Sequence, residues 1–272
     1  MNHHINIKLM EAKKMEKQNP ELSGKTQSTL NTYNPVVELR QYTLNPGQRD
    51  VLIDLFDREF VESQEEVGMK IIGQFRDLDD PNRFVWLRGF PDMPTRGEAL
   101  SAFYFGPVWK EHRELANSTM VDSSNALLLR PAHSNSGFSL ANERPSHGTS
   151  DVRKGLVVAT FYYFDAPVGD DFLKFFEDSL KPELTDSGST ILAYFVTEKS
   201  ENNFPQLPVR EGENLFIYFS SFTDEEAYEK HVTTLEKSER WQGEIKEVLE
   251  SSLKGMPEIK KLSPTTRSQL RG

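Results

Sequence analysis

Apolar and polar positions follow one programme along the chain, and the programme is written twice. Residues 36–44 (VVELRQYTL) and 155–164 (GLVVATFYYF) are rich in β-formers and predict a first strand in each half. Each is followed by a helical stripe: Leu52, Leu55, Phe56 and Phe60 in the first half, Leu173, Phe176, Leu180 and Leu184 in the second. Asn45 and Pro46 are expected to cap and start the first of these helices, and Pro167 to start the second. Second strands are predicted at 69–76 and 189–196, with polar loops after them at 77–82 and 197–212. Third strands show period-two alternation, through Phe84, Trp86, Arg88 and Phe90 and through Phe216, Tyr218, Ser220 and Phe222. Thr95 with Glu98, and Thr223 with Glu226, read as matching capping boxes that open a further helix. Later helices carry Trp109 and Trp241, and last strands fall at 125–130 and 258–262.

Each half therefore reads β-α-β-β-α-(α)-β, the ferredoxin-like order. Strand 156–164 is apolar on both faces and needs cover on both sides. The expected fold is α+β, with two tandem ferredoxin-like domains pairing into one pseudo-symmetric α/β barrel. Expected boundaries are a disordered tail at 1–34, domain one at 35–132, a linker at 133–153, domain two at 154–263 and a disordered tail at 264–272.

Composition narrows the function classes. The net charge is −10, and the first 35 residues carry five Lys against three Glu, so the remainder stands at −12. A body that acidic is a poor partner for phosphate backbones, and no nucleic-acid partner is expected. The chain has no cysteine, which removes disulfides, thiolate chemistry and Cys-based metal sites. No apolar run reaches the ~20 residues of a membrane helix, so no membrane insertion is expected. Neither a signal peptide nor a basic presequence is evident, and the expectation is a cytoplasmic protein. His3 and His4 read as incidental, and no metal site is expected.

The run 95–120 (TRGEALSAFYFGPVWKEHRELANSTM), the run 122–131 (DSSNALLLRP) and residues 38–44 (ELRQYTL) resemble the NIPSNAP family. The resemblance extends over both halves, from about 36 to 262, and is better in the first. It implies the dimeric α/β-barrel superfamily, whose cofactor-free monooxygenases, haem-degrading enzymes and lactone isomerases use a pocket between sheet and helices. It also implies partner proteins, since animal members of the family act through them. Fold alone does not give function.

No phosphate loop, dinucleotide fingerprint or nucleophile elbow is present. The candidate catalytic pair is His112 and Arg113, on a helical face shared with Trp109. His112 would move a proton or, with haem as a candidate cofactor, serve as an axial ligand. Arg113 would hold a carboxylate or an enolate. The candidate substrate-binding set is Arg40, Tyr42, Trp86, Arg88, Tyr104 and Trp109, with Glu38, Arg40 and Tyr42 on one strand face beside Arg88. The plainer reading makes these a core Trp, an ordinary helix edge and a cross-strand Glu–Arg pair. Tyr162, Tyr194 and Tyr218 read as core tyrosines, and His231 as a structural histidine. The leading expectation is a small apolar or aromatic ligand, bound and, if the protein is an enzyme, oxygenated or isomerised without a metal. The alternative is a non-enzymatic adaptor or scaffold working through protein partners. Further homo-oligomerisation is left open.

Overall fold

The computed structural model describes residues 34–140, 143–149 and 155–271. The expected tail at 1–34 lies outside the described residues except for Asn34.

The fold is α+β, built on an eight-stranded antiparallel barrel. The first half contributes β1 (Val36–Leu44), β2 (Lys70–Asp77), β3 (Arg83–Phe90), the short β4 (Met120–Asp122) and β5 (Ala126–Pro131). The second contributes β6 (Leu156–Tyr163), β7 (Thr190–Thr197), β8 (Leu215–Phe222) and β9 (Glu258–Pro264). Strand order runs β3-β2-β9-β6-β8-β7-β5-β1, and β1 pairs with β3 to close the ring. β4 lies outside the ring, against β1. Within each half the strands lie in the same spatial order, β2-β3-β1-β5 and β7-β8-β6-β9. The halves join twice along their edges, β2 to β9 and β5 to β7. Both second strands shift register at the same place, between Ile71 and Gly73 and between Ile191 and Ala193.

Alternation explains the double-sided apolar strands. Val37 and Leu39 of β1, Val157 and Phe161 of β6, and Ile217 and Phe219 of β8 point into the barrel and fill it. Glu38, Arg40 and Tyr42 stand on the opposite face of β1, as Tyr162 and Tyr218 do on β6 and β8. Helices cover that outer face. In the first half they are α1 (Arg49–Leu55), α2 (Val61–Glu66), α3 (Met93–Tyr104) and α4 (Pro107–Thr119). In the second they are α5 (Asp170–Phe175), α6 (Lys181–Asp186), α7 (Glu225–Lys237) and α8 (Lys246–Ser252). α1 runs into α2 through a π-helical turn at Phe56–Phe60, and α5 into α6 through another at Phe176–Leu180. Trp109 and Trp241 each pack half-buried against the helix–sheet core of their own half. Among the described residues no helix is long and apolar enough to cross a membrane.

Several helix starts differ from expectation. Asn45 and Pro46 form a turn, with the Gln48 amide donating to the Asn45 carbonyl and Gly47 at φ +77°, so α1 begins only at Arg49. That positive φ is incompatible with a helix, and glycine takes it without strain. α5 begins at Asp170 behind Gly169, not at Pro167. The expected capping boxes are displaced by neighbouring carboxylates. Asp92 accepts from the Thr95 amide at 2.7 Å and Asp224 from the Ala227 amide at 2.8 Å. An ionised acceptor at the positive end of a helix outcompetes a hydroxyl.

Residues 264–271 are packed where a disordered tail at 264–272 is expected, and Gly272 lies outside the described residues. The Thr265 amide donates to the Gln74 carbonyl and the Leu270 amide to the Ile72 carbonyl, each at 2.8 Å. Ser268 Oγ accepts from the Gln74 amide, Arg267 pairs with Glu62, and Leu270 enters the inner core. The stretch reads as polar because its anchors are hydrogen bonds and one apolar side chain. The connecting segment at 133–153 is likewise anchored where it is described. Phe138 is buried against Phe195 and Phe219, and Arg144 bonds Glu65 and the Ile71 carbonyl.

Candidate functional site

β1 and β3 pair in a register that sets Glu38 opposite Arg88 and Arg40 opposite Trp86. Their outer faces consequently carry a carboxylate and two guanidinium groups beneath the helices, and α3 adds a third in Arg96. All four side chains are fully buried. Arg88 Nε donates to Glu38 Oε2 at 2.7 Å, and Arg96 Nε to Glu38 Oε1 at 2.7 Å. Arg88 Nη2 and Arg96 Nη2 lie 2.6 Å from the same oxygens, held by charge, not by directed hydrogen bonds. Arg40 Nη1 stands 3.4 Å from Glu38 Oε2. Burial would raise the Glu38 carboxyl, but the guanidinium groups of Arg88, Arg40 and Arg96 outweigh it and hold the carboxyl at about 2.

One carboxylate cannot neutralise three guanidinium groups, so neutral acceptors and rings take up the rest. Arg88 Nη1 donates to Gln64 Oε1 at 2.9 Å, and its guanidinium lies over the Trp86 ring at 4.9 Å. Arg40 donates through Nε to the Tyr42 hydroxyl at 3.1 Å and through Nη2 to the Ser123 carbonyl at 3.0 Å. Arg96 Nη1 reaches into the other half, to Asn202 Oδ1 at 3.1 Å and Asn203 Oδ1 at 2.6 Å.

Those asparagines belong to the long loop between β7 and β8, which lies over the first half. A Cβ at Gly97 would come within 2.8 Å of Asn203 Nδ2, so the loop sits directly on α3. Beneath it is a cavity of about 380 Å³. Its walls are Tyr42, Tyr104 and Trp109 from the first half and Phe204 and Leu207 from the loop; Lys110 and Arg113 also line it. Phe204 stacks on Tyr104 with centroids 5.7 Å apart, and Tyr104 meets Trp109 edge-on at 4.9 Å. No carboxylate and no histidine lines this cavity among the described residues.

The structure thus divides the expected site residues. Tyr42, Tyr104, Trp109 and Arg113 come together at the cavity. Arg40, Trp86 and Arg88 are fully buried behind its wall and do not open into it. His112 does not line it either. The turn of the helix points its ring to Phe60, and Nε2 lies 3.4 Å from Glu59 Oε2. Of the expected pair, Arg113 alone lines this cavity among the described residues. Arg96 and the β7–β8 loop were not foreseen. The one sequence signal was length, since that loop far exceeds its counterpart at 77–82 and long ordered loops usually carry function.

The second half lacks the charge cluster. The registers place Val158, Thr160 and Ser220 where the first half has Glu38, Arg40 and Arg88. Tyr162 and Tyr218 are buried core residues, and burial holds the Tyr162 hydroxyl far above its ordinary range. His231 is buried against Phe222, with Nδ1 2.8 Å from Ser187 Oγ, and burial lowers its pKa. A larger cleft of about 590 Å³ lies beside Tyr163, Arg210 and Glu258, but Arg210 is already paired with Glu213 and the neighbouring Met256 is 91% exposed. Among the described residues no group of three or more His, Asp or Glu is gathered as metal ligands.

The α+β barrel is the fold this chain shares with solved proteins. An anthrone oxidase-like protein aligns at 15% identity with a TM-score of 0.52, over 86% of this chain and 92% of its own. A monooxygenase-like protein of Fusobacterium nucleatum aligns at 10% identity with a TM-score of 0.50, over 86% of this chain and 94% of its own. Within that class, residues 37–135 match the NIPSNAP family model. A NIPSNAP-like domain protein of Burkholderia xenovorans is 26% identical, over 39% of this chain and 91% of its own, with a TM-score of 0.35. None of the curated proteins compared matches the chain.

Proposed function

We propose that this protein binds a small apolar or aromatic molecule in the cavity between the first-half sheet, its helices and the β7–β8 loop. The observation that carries this is the construction of the walls. Tyr42, Tyr104, Trp109 and Phe204 line a space of about 380 Å³, a size that suits a small ligand. The reading treats the chain as two ferredoxin-like units in tandem, supported by the repeated strand order and the matched register shifts. The second unit then lends a loop to the first unit's site, and its own counterpart surface is core. The cytoplasmic setting suggested by composition belongs to the same proposal.

Oxygenation or isomerisation without a metal is the chemistry we attach to this cavity. Both reactions run through an enolate or phenolate, and Lys110 and Arg113 suit such an anion. One fold neighbour being an anthrone oxidase-like protein agrees with an electron-rich aromatic substrate. With no carboxylate or imidazole in the lining, the cavity suits a molecule that is acidic on its own. The test is native mass spectrometry of the protein purified from its own cells, beside Trp109→Ala and Phe204→Ala variants. A co-purifying small molecule lost from both folded variants is the expected result. A molecule retained by both would place the site elsewhere.

A further inference from the structure

The Tyr42 hydroxyl is the polar group whose bonding pattern bears on what the cavity takes. It accepts a hydrogen bond from Arg40 Nε at 3.1 Å. A guanidinium has donors only, so the phenol keeps its own proton to give elsewhere. No described residue takes that proton, and Tyr42 lines the cavity. Arg40 cannot turn away, because Glu38, the Ser123 carbonyl and full burial hold it in place. The floor thus presents an O–H donor polarised by a fixed positive charge behind it. A donor polarised in this way bonds most strongly to a charged oxygen. Lys110 and Arg113 add positive charge to the lining of a chain whose net charge is −10. The second half provides the contrast: Tyr162 occupies the matching strand position, with Thr160 where Arg40 stands in the first half.

We propose that the ligand is an anion, an aromatic carboxylate or phenolate, whose charged oxygen accepts from the Tyr42 hydroxyl while its ring lies among Tyr104, Trp109 and Phe204. Tyr42 is then the specificity-determining residue and Arg40 its positioning residue. This rests on the cavity reading above, and the experiment separates the two. Binding of 2-naphthoate and of its neutral amide is measured by calorimetry on the full-length protein, wild type, Tyr42→Phe and Trp109→Ala. Wild type is expected to prefer the carboxylate by about ten-fold or more, the size of one hydrogen bond to a charged group. Tyr42→Phe should weaken the carboxylate more than the amide and bring the two probes within about three-fold of each other. Trp109→Ala should weaken both probes alike. The anion assignment is overturned if the amide binds wild type as tightly as the carboxylate, and the assignment of Tyr42 is overturned if Tyr42→Phe keeps the preference. If neither probe binds wild type, the cavity reading fails and the assignment falls with it. Tyr42→Phe keeps the ring, and an unchanged unfolding midpoint shows that its fold is intact.

Discussion

Three guanidinium groups share the Glu38 carboxylate, and none of the four side chains touches solvent. Removing that single negative charge leaves three buried cations with neutral partners alone. Glu38→Gln is therefore expected to cost about 3–5 kcal/mol in urea unfolding, the range for breaking a buried ion pair from one side. A loss under about 1 kcal/mol would mean that the cluster relaxes or hydrates. The same group sets an acid limit. Its carboxyl is held at about 2 against an ordinary 4.5, so its stabilisation is complete above 4.5 and lost as pH falls from there towards 2. Asp57 has the opposite sign. Burial pushes its carboxyl up to about 6 from 3.8, outweighing the nearby Arg267, although Gln74 Nε2 donates to it at 2.7 Å. The folded state then binds a proton the unfolded chain does not, and stability falls as pH rises from about 4 through 6. Asp57→Asn should flatten that slope; an unchanged profile of unfolding free energy between pH 4 and 7 would assign it to other groups.

The C-terminal segment after β9 behaves as an element although it is neither strand nor helix. It lies along β2 through the Thr265 and Leu270 amides and puts Leu270 into the barrel core. Leu270→Ala should cost about 2–5 kcal/mol, as a buried leucine does, measured by thermal or urea unfolding. A near-neutral result would show the segment to be dispensable. The β7–β8 loop is the second such element. Asn203→Ala removes one acceptor from Arg96 and a donor to the Met93 carbonyl. Faster amide exchange at 198–214 with little change at β8 is the expected outcome, because the loop would open while the barrel stays closed. Strands were legible in the sequence because alternation at Phe84, Trp86 and Arg88 depends only on neighbours. The shared face of Arg40, Tyr42 and Arg88 followed from it. Helix starts were misplaced where an adjacent Asp or a positive-φ glycine decided the cap. Arg96 could not be assigned, since its partners Asn202 and Asn203 are more than 100 residues away. Nor could the fate of 264–271, which is tied to β2 by backbone amides and to Glu62 by Arg267.

At the scale of the whole molecule, the two halves meet edge to edge at the β2–β9 and β5–β7 joins, and the barrel needs both. A fragment ending at residue 140 would leave two strand edges unpaired and the inward face of Val37, Leu39, Leu127 and Leu129 open. Light scattering should find such a fragment dimeric or aggregated, while the full chain unfolds in one transition; a folded monomeric fragment would show that closure is not needed. Joining both halves in one polypeptide also changes what a substitution can do. In a barrel made from two identical subunits, a residue change is copied across the twofold axis and both sites change together. Here each change is made once. Glu38, Arg40 and Arg88 can occupy one half while Val158, Thr160 and Ser220 occupy the other, and a long loop can grow on one side alone. Covalent linkage thereby frees one half to become the wall and cover of a cavity in the other, a division of labour closed to a symmetric pair.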